Sequence, residues 1–285
     1  MQGANRVDCT SSVGRRVLIA TDHCFVLLRY STAVPQLHYD SVLLLTLALK
    51  AARAARADRE ARGTSSLQED ALTAILLSAA AAEAFINELP EHVRIHQGRV
   101  PEEPRELSTE EREIRERIRR EHPELFNRPP PEVLSSVDAM AAALEQAEAA
   151  RASTVDKYDC AKVALTGSPF GSDRAPMQPF IELMGLRDSV MHLKHTRYGR
   201  RHKGERLAQS LGQRGVIEAE IANTTLSPIN KFLSPGVAAY AYHSALGIVR
   251  GLLSHIPVGL YPIENPAETA RGVYSDETRF PTLSS

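Results

Sequence analysis

The segment from Ser66 to Leu89 constrains this chain more than any other. Ser66-Leu-Gln-Glu69 has the form of a capping box, in which a serine oxygen and a glutamate carboxylate satisfy orphan amides of a helix start. Leu67, Ala71, Ile75, Ala79, Ala82 and Ile86 follow at three- and four-residue steps, the period of a buried helical stripe. Much of that stripe is alanine, so a neighbouring helix can approach closely. Pro90 sets the expected end at Leu89. A chain organised around such an element packs helices on helices. Composition points the same way: Trp is absent and aromatics are 5 %, leaving Leu, Ile, Val and Ala to build most of the core.

The rest of the chain can be read around that helix. Residues from Tyr39 to about Arg62 carry Val42, Leu43, Leu45, Leu47 and Leu49 among good helix formers, and Gly63 stops them. The stretch 91–131 reads as an insertion: Ser108-Thr-Glu-Glu111 is a second capping box, followed by Glu111/Arg115, Glu113/Arg117 and Glu116/Arg120 at i,i+4 spacing. Only Ile114 and Ile118 offer it an apolar seam, which predicts a solvated helix on the outside of the core. Leu134, Val137, Met140, Leu144 and Ala147 resume the helical pattern, and Tyr158 to Leu165 continues it after a break. A Gly-, Ser- and Pro-rich loop spans Gly167 to Pro176. Phe180, Leu183, Leu186, Val190 and Leu193 mark another helix, and Val237 to Ile256 a last one. Val216 to Ile221 alternates like a short strand with no mate. The expectation is an all-α bundle of four to five long helices over 39–256, with the charged helical insertion and a basic loop over about 196–215. Residues 1–38 form an extension of undetermined structure, and 257–285 an irregular tail.

Several function classes drop out on composition. Lys and Arg total 34 against 35 Asp and Glu, a formal charge of −1, so overall charge does not drive nucleic-acid binding. Cys9, Cys24 and Cys160 are an odd number without a CxxC pair, which argues against a disulfide framework or a Cys-rich zinc site and predicts a reducing, cytoplasmic setting. The apolar run Val17–Leu28 after Arg15 and Arg16 is interrupted by Asp22 and His23 and lacks a cleavage site, so it does not read as a signal peptide. No segment reads as a membrane span. His92 and His96 stand at i,i+4 without a third ligand nearby, and neither a P-loop nor GxGxxG is present; no metal and no cofactor are expected.

One segment carries candidate chemistry: Arg187-Asp-Ser-Val-Met-His192, followed by Leu193, Lys194 and His195. On a straight helix Arg187 and His192 lie roughly 140° apart around the axis and ~7.5 Å along it, so they do not aim at one atom. Asp188 and His192, four apart, share a face, and the carboxylate can orient the imidazole. A compact site therefore needs a distorted helix end or a second copy of the helix. On an earlier helix Glu83 interrupts an apolar run, and a buried carboxylate needs a cationic partner such as Arg187. Asn87, four residues on, can hydrogen-bond within the same interface. The plain alternative is a surface salt bridge.

Arg-polar-x-x-x-His near a helix end, downstream of the alanine-rich helix bearing Glu83-Ala-Phe-Ile-Asn87, resembles the HEPN domain family, named for higher eukaryotes and prokaryotes. The resemblance spans about Tyr39 to Ile256. It implies an all-α, commonly dimeric bundle and a metal-independent endoribonuclease in which Arg and His of two protomers converge. Arg187 and His192 match its R-x4-H signature, Asp188 its polar position and Glu83 its frequent acidic position. It implies a homodimer acting on RNA, as a toxin held by an antitoxin protein or as an anti-phage effector. The alternative is a non-catalytic module of the same fold that binds nucleotide, RNA or protein.

The basic sequel suits an RNA backbone. Lys194, Arg197, Arg200, Arg201, Lys203, Arg206 and Arg214 face the single acid Glu205, His195 adds conditional charge, and Tyr198 offers a stacking surface. A solvated loop is the alternative reading of that stretch.

Overall fold

The computed structural model describes residues 16–21, 24–29, 40–63, 68–98, 131–191, 203–256 and 281–283, with single positions between 109 and 120 and between 274 and 280. The chain divides into two units, Met1–His38 and Tyr39–Ser285. In the first, strands β1 (Arg16–Thr21) and β2 (Cys24–Arg29) form an antiparallel hairpin, with Val17 opposite Leu28 and Ile19 opposite Val26. Asp22 and His23, which interrupt the apolar run in sequence, are the two residues between the strands. β-Branched and aromatic side chains either side of a two-residue connection are a hairpin signal.

The second unit is an all-α bundle. Its long helices are α1 (Asp40–Arg62), α2 (Glu69–Gly98), α3 (Pro131–Ala149), α4 (Thr154–Thr166), α5 (Met177–Met191), α6 (Lys203–Gln213) and α9 (Pro235–Leu253). Two short turns of helix, α7 (Ala219–Ala222) and α8 (Pro228–Phe232), lie before α9. Helix α2 is central: α1, α9, α3 and α5 all pack against it. The alanine stripe does what small side chains permit, since Ala71, Ala74, Ala79 and Ala82 are fully buried and α1 lies along them. The window Glu69–Glu91 is long and apolar enough to cross a bilayer by composition, and half of it is buried inside the bundle. Capping residue Ser66 lies outside the described residues.

Four expectations require correction. Helix α2 does not stop at Leu89 but runs through Pro90 to Gly98. Pro90 removes one ladder bond, yet Leu89 and Val93 on either side of it are both buried, and burying such a side chain contributes ~1.5–3 kcal/mol. Val216–Ile221 is not a strand: Val216 and Ile217 form a turn that puts Ile217 wholly inside the core, and α7 follows. The basic loop over 196–215 is helical from Lys203 to Gln213. The tail beyond 257 is not irregular throughout, since Tyr274 is helical, and it belongs to the core, because Tyr274 and Phe280 are 1 % and 0 % exposed. Tyr274 meets Phe85 of α2 edge-on at 5.5 Å and stacks on Phe280 at 5.6 Å.

Within the insertion, Thr109, Glu113, Glu116, Arg117 and Arg120 are helical and exposed, and Arg120 Nε donates to the Glu116 carbonyl. Local chemistry sets the other boundaries. Ser153 and Asp156 make a reciprocal capping box at the start of α4, and Gly167 ends that helix in the left-handed region at φ 76°. Ser234 caps α9 ahead of Pro235. Gly236 is required next, since a Cβ there would stand 2.1 Å from the Val216 carbonyl oxygen.

Candidate functional site

Helix α5 turns Met177, Phe180, Leu183 and Leu186 into the core, leaving Arg187 at the edge of its buried face. There the side chain crosses to α2. Arg187 Nη1 lies 3.2 Å from Glu83 Oε2, so the acidic residue that interrupts the apolar run of α2 has a guanidinium as its partner. Nε and Nη2 donate to Asp188 Oδ1 at 3.2 and 3.0 Å. The guanidinium is 31 % exposed and the two carboxylates 45 % and 46 %. At that exposure the pairs contribute no more than ~1 kcal/mol each, so they orient Arg187 more than they stabilise the fold. Two carboxylates against one guanidinium leave the trio with a formal charge of −1.

Asn87, one turn along α2 from Glu83, does not bond to it. Its Oδ1 accepts from Lys157 Nζ of α4 at 2.8 Å, and the same ammonium pairs with Glu148 of α3. The outer polar face of α2 is thus held by a cation from each of two other helices. Lys157 is buried to 8 % exposure, and no motif announces it: α4 carries Thr154, Lys157, Tyr158 and Ala161 on its buried side, an apolar pattern too weak to flag the position.

Of the other expected site residues, His192, Lys194, His195, Arg197, Tyr198, Arg200 and Arg201 lie outside the described residues. Lys203 opens α6, with its side chain outside them as well. Arg206 is exposed. Arg214 is already engaged: its Nη2 lies 2.5 Å from Glu182 Oε2, and its guanidinium stands over the Tyr240 ring at 5.5 Å. The Tyr240 hydroxyl donates to the same carboxylate, and Gln178 Nε2 donates to Glu182 Oε1 at 3.4 Å. Burial and the Glu182 bond raise the Tyr240 hydroxyl pKa, so it stays protonated as a donor. For Arg214, burial lowers the guanidinium pKa, but the Glu182 bond outweighs it and the net shift is upward. This network ties α5, the end of α6 and α9 together. Sequence reasoning assigned Arg214 to the basic stretch and gave Glu182 and Tyr240 no role, because residues 32 and 58 positions from Glu182 share no local pattern with it.

A cleft of about 560 Å³ opens between α6, α7 and α8, with Ala208, Gly212 and Ala222 on its wall and Gln209, Asn223 and Lys231 among its polar groups. Lys231 Nζ there donates to the Ala222 carbonyl at 2.7 Å. Among the described residues no three His, Cys, Asp or Glu side chains are grouped as metal ligands, and the His92 and His96 side chains fall outside that set. No family model matches the chain, and neither a curated protein nor a solved structure does.

Proposed function

We propose that the chain is a metal-independent endoribonuclease of the HEPN type, active as a homodimer in the cytoplasm, with RNA cleavage as its toxic or anti-phage output and an antitoxin protein as its restraint. The observation that carries this reading is the Glu83–Arg187 pair. An arginine of the R-x4-H segment is held at a partly exposed position by an acidic residue of the alanine-rich helix. A carboxylate fixes the guanidinium fork ahead of substrate, so less ordering entropy is lost when a phosphate arrives.

In this reading His192 takes the proton of a ribose 2′-OH, and the alkoxide attacks the adjacent phosphorus. The bond from phosphorus to the 5′-oxygen breaks, and that oxygen leaves with a proton as a 5′-hydroxyl. The other product is a 2′,3′-cyclic phosphate. Arg187 binds the scissile phosphate through two parallel N–H donors and offsets the charge that grows on its oxygens. Glu83 positions Arg187, and Asp188, four residues before His192, orients the imidazole. Lys194, His195, Arg197, Tyr198, Arg200, Arg201 and Lys203 supply backbone contacts and a stacking surface for the flanking nucleotides.

A second reading has its own support: with two carboxylates already on Arg187, the same surface suits a binding module whose arginine is structural. Purified protein incubated with a mixed RNA pool in excess EDTA separates the two. The enzyme yields cyclic-phosphate ends that vanish with His192→Ala. No cleavage by either favours the module, and equal cleavage by wild type and variant points to a contaminant or a different site and removes His192 from the reaction.

A further inference from the structure

The last described residues lie as a strap over α9. Arg250 grips its root: Nε donates to the Tyr274 carbonyl at 2.7 Å, Nη2 to the Phe280 carbonyl at 3.2 Å, and Nη1 pairs with Glu277 at 3.0 Å. The Phe280 amide donates to the Asp276 carbonyl at 2.8 Å, closing a turn that drives the phenyl ring into the core. Beyond it the tip is held differently. The Tyr242 hydroxyl donates to the Pro281 carbonyl at 3.3 Å, and the Leu283 amide donates to His243 Nε2 at 2.9 Å. Leu283 itself packs on a cluster of small side chains, Ala51, Ala52 and Ala55 of α1, Ala71 and Ala74 of α2, and Ala238 of α9. Alanine on all three helices leaves the notch that the leucine fills.

The two halves of this strap answer to protons differently. A guanidinium stays charged at every working pH, and a phenol stays neutral in acid, so neither the two carbonyl bonds that hold the root nor the Tyr242 bond titrates below neutrality. An imidazole nitrogen accepts an amide hydrogen bond only while that nitrogen is unprotonated. A second proton on His243 would set an N–H against the Leu283 N–H, and a backbone amide has no way to turn itself into an acceptor. We propose that His243 makes the C-terminal tip a proton-operated latch: the neutral ring holds Pro281–Leu283 in the alanine notch, and protonation releases that tip while Arg250 keeps the root in place.

The surroundings of the ring set the direction. Burial, and next the Arg250 cation on the same helix, lower the His243 pKa below its ordinary value. Glu277 on the strap and Arg53 on α1 act on the neighbouring Tyr242, and Glu277 is paired with Arg250. On the other flank, Glu182 of α5 and Arg214 meet Tyr240 and each other. The closed latch therefore belongs to neutral pH, and the open one to acid. Opening uncovers an apolar notch bounded by three helices, beside Tyr242 and His243, whose rings lie 5.3 Å apart.

Amide protection measured by NMR on the full 285-residue chain tests this, with the His243 ring titrated in the same samples. Each exchange rate is taken relative to the intrinsic rate at that pH. Protection of Leu283 is lost as the ring protonates, and the loss follows the titration curve of the His243 ring. Protection of Phe280, whose partner is the Asp276 carbonyl, stays constant and reports that the root and core remain folded. His243→Gln, which keeps an acceptor and cannot titrate, holds Leu283 protected from pH 7.5 to 5. Leu283 protection that survives ring protonation overturns the latch. So does an equal loss in the Gln variant, or loss at Phe280 in step with Leu283.

Discussion

Arg187 sits between two carboxylates from different sources, Glu83 across a helix interface and Asp188 beside it in sequence, and the two are not equivalent. Glu83 fixes where the guanidinium points, whereas Asp188 competes for the donors a phosphate would use. Under the proposed ribonuclease reading, two results follow from that difference. Glu83→Gln keeps the size and removes the charge, so RNA cleavage falls by about tenfold, the weight of ~1.4 kcal/mol of lost positioning, with the melting temperature little changed. Asp188→Asn instead raises RNA affinity about threefold to tenfold in a filter-binding titration, because one anion facing the incoming phosphate is gone. Histidines give a third result. His243 is lowered by burial and then by Arg250, and His255 by burial and then by Lys162. For both, the folded pKa lies below the unfolded value, so the unfolded chain binds more protons between the two. Their stabilisation is complete above pH ~6.5 and is lost as pH falls through the folded pKa values. Urea midpoints taken at pH 7.5 and 5.5 should drop toward acid, and His243→Gln should recover part of the drop.

At the scale of elements, propensity and packing compete openly in α2. A proline in a helix interior costs ~3 kcal/mol against alanine, and this helix carries one because Val93 must reach the core one turn later. Pro90→Ala accordingly raises stability by about 1–3 kcal/mol in urea unfolding. The start of α4 shows the opposite case, where local chemistry decides. Ser153→Ala removes the oxygen that accepts from the Asp156 amide and costs ~1 kcal/mol, with Asp156→Ala close behind. The capping boxes at Ser66 and Ser108 stand out in sequence because apolar or charged periodicity follows them. That at Ser153 does not, because α4 alternates Lys157 and Tyr158 on its buried side. The false strand at Val216–Ile221 has a similar origin. Two-residue alternation is satisfied equally by a turn that drops one isoleucine into the core and continues as a helical turn.

On the scale of the whole molecule, the bundle closes on itself through the chain beyond α9. Tyr274 and Phe280 complete the packing around Phe85 of α2, and Arg250 spends its guanidinium on carbonyls of that segment. Phe280→Ala should cost about 3–5 kcal/mol, the range for emptying a fully buried phenylalanine site, with a lowered urea midpoint as the measurement. A loss under 1 kcal/mol would mean the tail merely rests on the surface.

What the sequence by itself determined were the features carried by neighbours along the chain. The all-α class, the extent of α1, the alanine stripe of α2 and the stop at Gly167 are written in three- and four-residue spacing, in caps and in glycine. The Glu83–Arg187 pair was legible as well, because a lone carboxylate in an apolar stripe demands a cation and few candidates lay on a facing helix. Tertiary structure alone decided the rest: Lys157 on Asn87, Glu182 shared by Arg214 and Tyr240, His243 holding Leu283, and two aromatic rings from the chain beyond α9 inside the core. Such contacts join residues tens of positions apart, each ordinary in its local setting. Their free energy comes from burial and hydrogen bonding once the helices have met, and no periodicity along the chain records it.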